Sequence, residues 1–270
     1  MAPARRPGAI IAAHVRGRVT SGHSRLLLWS LALLCCVGFT WLGFWQLARM
    51  HEKQAMLAAA HAVLVQRVAQ PFGVAADPHR VGAYDWAAGE GHFLDAPAVL
   101  LDNQAKDGRI GVHAYRAFQP ADGVPLLVDL GWLPIGGDRR MPGIPRPAGA
   151  VRIAGLLTAP PSAGLARAVA MPQLDGSLLT ITVSIPLLRR ALRLPTLAPR
   201  VLRLDPGLPL GYARNLEILP NTLPPERHLG YAVQWFGLAL TVLVTALFLT
   251  FRRRPARKPA VPKRVTPRTP

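Results

Sequence analysis

Two long apolar runs stand out against an interior whose apolar residues come in short, interrupted groups. The first is Leu26 to Leu47, uncharged between Arg25 and Arg49. The second is Leu229 to Phe251, between His228 and the triplet Arg252, Arg253, Arg254. Each exceeds the roughly 20 residues that a helix needs to cross the hydrocarbon of a bilayer. Arg49 to Leu64 has helix-forming composition with neither Gly nor Pro. The first helix is therefore expected to continue past its apolar run toward Pro71. From about Val81 the pattern shortens, and Gly, Pro, Asp and Asn punctuate it. Strands are expected at Val99 to Asp102, Val112 to Phe118, Pro125 to Leu133, Val151 to Thr158, Leu178 to Ser184 and Val201 to Asp205, with a further one at Asn215 to Leu219. The nearly continuous apolar run Pro125 to Leu133 predicts a central strand buried on both faces. Asn103 to Gly108 reads as a turn, Asp138 to Ala150 as a loop, and Pro186 to Leu194 as a short helix with Pro in its first turn. Regular strand–helix alternation is missing. The expected fold class is a membrane protein: two transmembrane helices in hairpin topology bracketing an α+β, mostly antiparallel-sheet extramembrane domain.

The charge pattern orients this picture. The formal net charge is +18. Residues 1–25 hold five arginines and no acid, residues 252–270 hold eight Lys/Arg and no acid, and all 14 acids lie between the apolar runs. Positive residues flanking a span resist translocation and favour the cytoplasmic side. The expected organisation is a basic cytoplasmic tail (1–25), transmembrane helix 1 (26–47), a periplasmic or intermembrane-space α+β domain (48–228), transmembrane helix 2 (229–251) and a second basic, disordered cytoplasmic tail (252–270). The tails lack interleaved aromatics and any recognisable fold, so topology and attraction to anionic lipid explain their charge better than nucleic-acid binding. Leu26 to Leu47 is too long for a signal-peptide core, and no small-x-small cleavage site follows it, so it is read as a retained anchor. The only cysteines, Cys35 and Cys36, lie mid-span and read as apolar filling. The outer domain then has no disulfide and no thiolate metal site.

Catalytic signatures are scarce. Phosphate-binding Gly-rich loops, nucleophile elbows and zinc-helix motifs are missing, and His51, His61, His79, His92 and His113 are scattered without metal-ligand spacing. Asp102 and Asp107 flank a turn, where solvation explains them better than cation binding. Gly131-Trp132 admits two readings, a ligand shelf or core packing at a strand end. The membrane face offers more. If the first helix runs outward and the second inward, Trp41, Trp45 and Gln46 meet His228, Tyr231, Gln234 and Trp235 at one depth. His228, Tyr231 and Trp235 are spaced three and four apart, on one helical stripe. This set is either an ordinary interfacial aromatic belt or a slot for a flat, membrane-soluble amphiphile such as haem. In the second case imidazole is a suitable axial ligand, with Gln46 or Gln234 behind it.

At these same residues the chain resembles the surfeit locus protein 1 family of cytochrome c oxidase assembly factors. Leu42-Gly43-Phe44-Trp45-Gln46-Leu47-Ala48-Arg49 is similar to the family's segment at the end of the first span. His228-Leu229-Gly230-Tyr231-Ala232-Val233-Gln234-Trp235-Phe236 resembles the opening of the second. Between them Gly91-His92-Phe93, resembling a Gly-x-Phe turn, Leu101-Asp102-Asn103-Gln104, Gly111-Val112-His113 and Leu127-Val128-Asp129-Leu130-Gly131-Trp132-Leu133-Pro134 also match. Many relatives carry Asn where Arg227 stands and Arg where Leu130 stands. The resemblance implies a non-enzymatic biogenesis factor for a haem-copper terminal oxidase, complex IV of the respiratory chain, acting as a membrane haem chaperone. Haem a would be its transient cargo, with His228 the axial ligand to the haem iron and Tyr231, Trp235, Trp45 and Gln46 the pocket wall. It further implies cytochrome c oxidase subunit I, haem a synthase and the lipid bilayer as partners, with no nucleic acid. The expected location is a bacterial inner (plasma) membrane, multi-pass, with both termini cytoplasmic. The alternative is a scaffold that docks oxidase subunits or other assembly factors without handling haem.

Overall fold

The structure, a computed structural model, describes residues 22–137, 139–161, 168–218 and 223–252. The basic tails fall almost wholly outside these residues. Chain contacts divide the protein into two units: a helix pair, from residues up to Met50 and from Glu226 onward, and a sheet unit, His51–Pro225.

The helix pair is built from α1 (Gly22–Gln66) and α3 (Pro225–Phe251). Both are long and apolar enough to cross a membrane. Their large apolar side chains, among them Leu34, Phe44, Val233 and Phe248, are exposed rather than buried as in the core helix of a globular protein. Pro225 opens α3, where its missing N–H costs nothing, and Glu226 sits in the first turn against the positive end of the helix dipole. The helix α1 runs unbroken through the Gly/Pro-free stretch, as its composition predicts, and stops at Arg67. That residue takes the left-handed φ of 45° common just past a helix end. Its Nε donates to Leu64 O at 3.2 Å, and its guanidinium lies 4.6 Å from the Trp86 ring.

Among the described residues the sheet unit holds eight strands: β1 (Asp85–Phe93), β2 (Val99–Lys106), β3 (Arg109–Pro120), β4 (Leu126–Pro134), β5 (Ala150–Thr158), β6 (Ala170–Pro172), β7 (Leu178–Thr180) and β8 (Val201–Leu204). Helix α2 (Ile185–Ala191) carries Pro in its first turn. The spatial order is β1-β5-β8-β4-β3-β2-β7-β6, and β1 also pairs with β3. The pairings therefore close a ring, β1–β5–β8–β4–β3, from which β2, β7 and β6 extend. Strand β3 makes this possible by length. Its first part pairs with β2, and Phe118–Pro120 pair with Phe93–Gly91 of β1.

The expectation of a mostly antiparallel sheet is corrected: the sheet is mixed, because β2–β7 and β4–β8 are parallel. Both parallel pairings use three residues of a short late strand, whose direction local sequence does not encode. Strand β4 is central and buried on both faces, as its continuous apolar run requires. The pleat splits its side chains between two cores. Leu126, Val128 and Leu130 join Phe72, Phe93 and Phe118, while Leu127 joins Val99, Leu101 and Tyr115 on the face covered by Leu188 of α2 and by Leu192 just past its end. Phe118 packs edge-on against both Phe93 (5.1 Å) and Phe72 (5.8 Å).

Three local expectations change. Gly91-His92-Phe93 is not a turn but the end of β1. Gly91 pairs with Pro120, and a Cβ there would lie 2.3 Å from Gln119 O. Strand β2 continues through most of the expected turn to Lys106, and only Asp107 and Gly108 turn, with φ of 51° and 73°. Asn215 to Ile218 is not a strand; Leu219 lies outside the described residues.

Candidate functional site

A side-chain hydrogen bond that joins α1 to α3 comes from the two sequence signatures at the helix ends. His228 Nδ1 and Gln46 Oε1 lie 2.7 Å apart. An amide oxygen only accepts, so the hydrogen bond requires the proton on Nδ1; in the neutral ring the lone pair then lies on Nε2. His228 is 7% exposed, and its Nε2 is buried. The α3 positions 228, 232, 235 and 239 follow helical periodicity toward α1. Ala232 is buried. Trp235 stacks on Phe39 at 5.6 Å, and Cys36 Sγ donates to Ala239 O at 3.4 Å. Gly43 lets the helices approach: a Cβ there would lie 2.5 Å from Cε1 of Phe236, whose ring packs edge-on against Phe44.

The residues singled out in the sequence therefore separate into two groups. His228, Gln46 and Trp235 face the partner helix. Trp41, Trp45 and Tyr231 are exposed, and Gln234 is exposed as well. Of the two glutamines, Gln46 is the one that reaches His228. Chemically, the seam offers one imidazole oriented by an amide, with rings close by. A single neutral imidazole whose second nitrogen is hydrogen-bonded suits an iron ligand. Because Nε2 is buried, the seam has to open at that nitrogen, with the Gln46 bond kept, before it can meet a metal.

The sheet unit holds a second polar constellation. His113 Nδ1 lies 3.0 Å from Asp129 Oδ1, which also accepts from Gly131 N at 2.9 Å. Both residues fall within motifs recognised in the sequence, but their pairing depends on β3–β4 register. That register slips at Ala114/Tyr115, where Leu130 is the extra residue. Burial and the neighbouring Asp129 carboxylate push the Tyr115 hydroxyl well above the ordinary tyrosine range, so it stays protonated. Trp132 is buried, donates Nε1 to Gln104 O at 2.8 Å, and takes the core-packing reading rather than the ligand shelf. Asp102 accepts from Asn103 N at 2.7 Å, and Asp107 meets Lys106 at 3.5 Å. Among the described residues no cluster of three or more His, Cys, Asp or Glu could hold a metal ion.

The described residues thus bring together two apolar helices long enough to cross a membrane, a mixed-sheet unit and a His–Gln pair between the helices. The chain belongs to the SURF1 family, whose model matches residues 33–240, most of the sequence. This is the surfeit locus family of the sequence resemblance. The family is linked to cytochrome c oxidase assembly and is a family of assembly factors, not of known enzymes. No curated protein matches the chain closely.

Proposed function

We propose that this protein is an assembly factor of a haem-copper terminal oxidase that carries haem a to the catalytic subunit as transient cargo. The two helices span a bacterial inner membrane with both termini cytoplasmic, and the sheet unit lies on the periplasmic side. The observation that carries the reading is the His228–Gln46 hydrogen bond. It prepares the tautomer an axial ligand needs, at the residues where the family resemblance is most specific. A carrier has to release its cargo. One imidazole that is normally tucked into a helix seam holds haem less firmly than a built bis-histidine site, so the target's histidines win on transfer. Trp235, Tyr231 and Trp45 supply rings beside it. Subunit I and haem a synthase are the partners this route requires.

A scaffold reading is favoured by the same seam seen differently. A buried His–Gln hydrogen bond is also ordinary glue between apolar helices. The two readings part on one experiment. The chain is co-expressed with the enzymes of haem a synthesis, purified in mild detergent, and its visible spectrum is compared with those of His228→Ala and Gln46→Leu. The carrier predicts a Soret band that His228→Ala abolishes and that Gln46→Leu weakens about tenfold to a hundredfold in haem affinity, with all three proteins in the membrane fraction. A band that survives His228→Ala sinks the ligand assignment. No band in folded wild type, with oxidase subunits still co-purifying, selects the scaffold.

A further inference from the structure

The far end of the helix pair, away from His228, opens into a groove of about 910 Å³ between the start of α1 and the end of α3. That volume is at the upper end of ordinary small-molecule sites. Its floor is small: Ala32, Cys35 and Ala246 keep the helices from filling it. Thr241 and Thr250 line it, yet their hydroxyls donate to Gly237 O and Ala246 O of their own helix at 2.8 and 2.7 Å. Of the three threonines in the lining, two are thus satisfied within α3 and only Thr245 could offer a hydroxyl, so apolar matter suits most of the wall.

The mouth differs. Arg25 and Arg252 both line the groove. Arg252 lies 6.0 Å from the Phe248 ring, and no ion pair engages either arginine among the described residues. The sequence supplies no acid in 1–25 or in 252–270 to neutralise them. Two guanidiniums over an apolar cleft match one ligand chemistry, an oxyanion joined to a hydrocarbon tail.

We propose that this groove seats an anionic phospholipid, its phosphate between Arg25 and Arg252 and an acyl chain along Ala32, Cys35 and Ala246. The site is separate from the His228 seam and rests on the reading of α1 and α3 as membrane spans. It differs from the diffuse attraction of basic tails to a charged surface because it has a shape: filling the groove should empty it while every charge stays in place.

The full-length protein is solubilised in mild detergent with equimolar phosphatidylglycerol and phosphatidylethanolamine, and retained lipid is read by native mass spectrometry. The expected result is one retained phosphatidylglycerol per chain, preferred about thirtyfold, the combined pull of two arginines on an anionic headgroup. Arg25→Gln with Arg252→Gln should abolish the preference. Ala246→Phe, with both arginines intact, should abolish retention. Equal retention of the two lipids by wild type, undiminished retention by Ala246→Phe, or a protein helix cross-linked from Cys35 in place of lipid would each overturn the proposal. Carbonate extraction of the same membranes keeps the test separate from the span reading. Protein released into the wash refutes the spans, whereas protein retained without bound lipid refutes the groove alone.

Discussion

Asp85→Ala is expected to cost about 3–5 kcal/mol of stability, the usual cost of removing one partner from a buried ion pair. Arg200 is the reason. Its side chain has no exposure, and Nη1 donates to Asp85 Oδ2 at 2.6 Å. Nη2 donates to Ala83 O at 2.6 Å and to Leu157 O at 3.1 Å. With Asp85 gone, a guanidinium stays inside the protein with only neutral carbonyls around it. Arg80 also pairs with Asp85, but it is half exposed, so Arg80→Ala should change little. For a unit of this size the loss at Asp85 amounts to a fall of about 10 °C in the midpoint of heat-induced loss of the sheet signal. A shift of under two degrees or so would show that the pair contributes no net stability.

The same pair predicts a pH dependence. Burial alone would raise the Asp85 carboxyl, but hydrogen bonds from Arg80 and Arg200 outweigh it and hold the group below the usual carboxylate range. A carboxyl lowered in the folded state contributes its stability fully above its unfolded pKa of about 3.9. That contribution is lost as pH falls through the lower, folded value. The gap between wild type and Asp85→Ala should therefore be widest at neutral pH and should narrow in acid, which melts at pH 7 and pH 3 would show.

Gly131→Val is the second large effect. Gly131 has φ of 114°, and a Cβ there would lie 2.9 Å from the carbonyl oxygens of both Tyr212 and Ala213. The bulge around it is tied on both sides. Tyr212 N donates to Leu130 O at 2.7 Å, Trp132 N donates to Ala213 O at 2.8 Å, and Asp129 Oδ1 accepts Gly131 N at 2.9 Å. Valine at that φ costs roughly 1–3 kcal/mol in backbone strain alone, and the clash is with backbone, which cannot rotate away. The expected total is about 3 kcal/mol, with Gly131→Ala smaller but of the same sign. Trp132, whose indole is pinned to Gln104 O, gives a fluorescence reading of whether the bulge survives. An unchanged melt and an unchanged emission maximum would mean that the strap at 211–213 yields freely.

How much of this could be read from the chain depended on whether a signal was local. The two apolar runs, the Pro at the start of α2 and the buried run of β4 each state their structure within a dozen residues, and each was legible. Strand β1 was not. Its middle reads Ala87-Ala88-Gly89-Glu90-Gly91, poor in strand formers, because the β3 backbone passes too close for a side chain at Gly91. The directions of β7 and β8 are set by partners far away in sequence. At the helix pair, spacing placed His228 and Trp235 on one stripe, and both do face α1. The same stripe included Tyr231, which is exposed, because three residues along a helix turn 60° away from a straight seam. Gln46 was legible as a neighbour of His228. That it, rather than Gln234, makes the bond is fixed by how the two helices align.

Strand β8 has a consequence for how the chain acquires its shape. It is the last strand among the described residues, yet it occupies the middle of the sheet, between β5 and β4, with Val201, Leu202 and Leu204 fully buried. Until the ribosome has released Leu204, the ring has a gap with two bare edges, and long-range pairing of this kind is slow once it can begin. The sheet unit thus cannot complete before synthesis has passed Leu204, about twenty residues ahead of the second apolar helix. Chains that stall or terminate before Val201 would present two open β edges to whatever surrounds them, and they should be cleared by proteolysis rather than accumulate as shortened but functional protein.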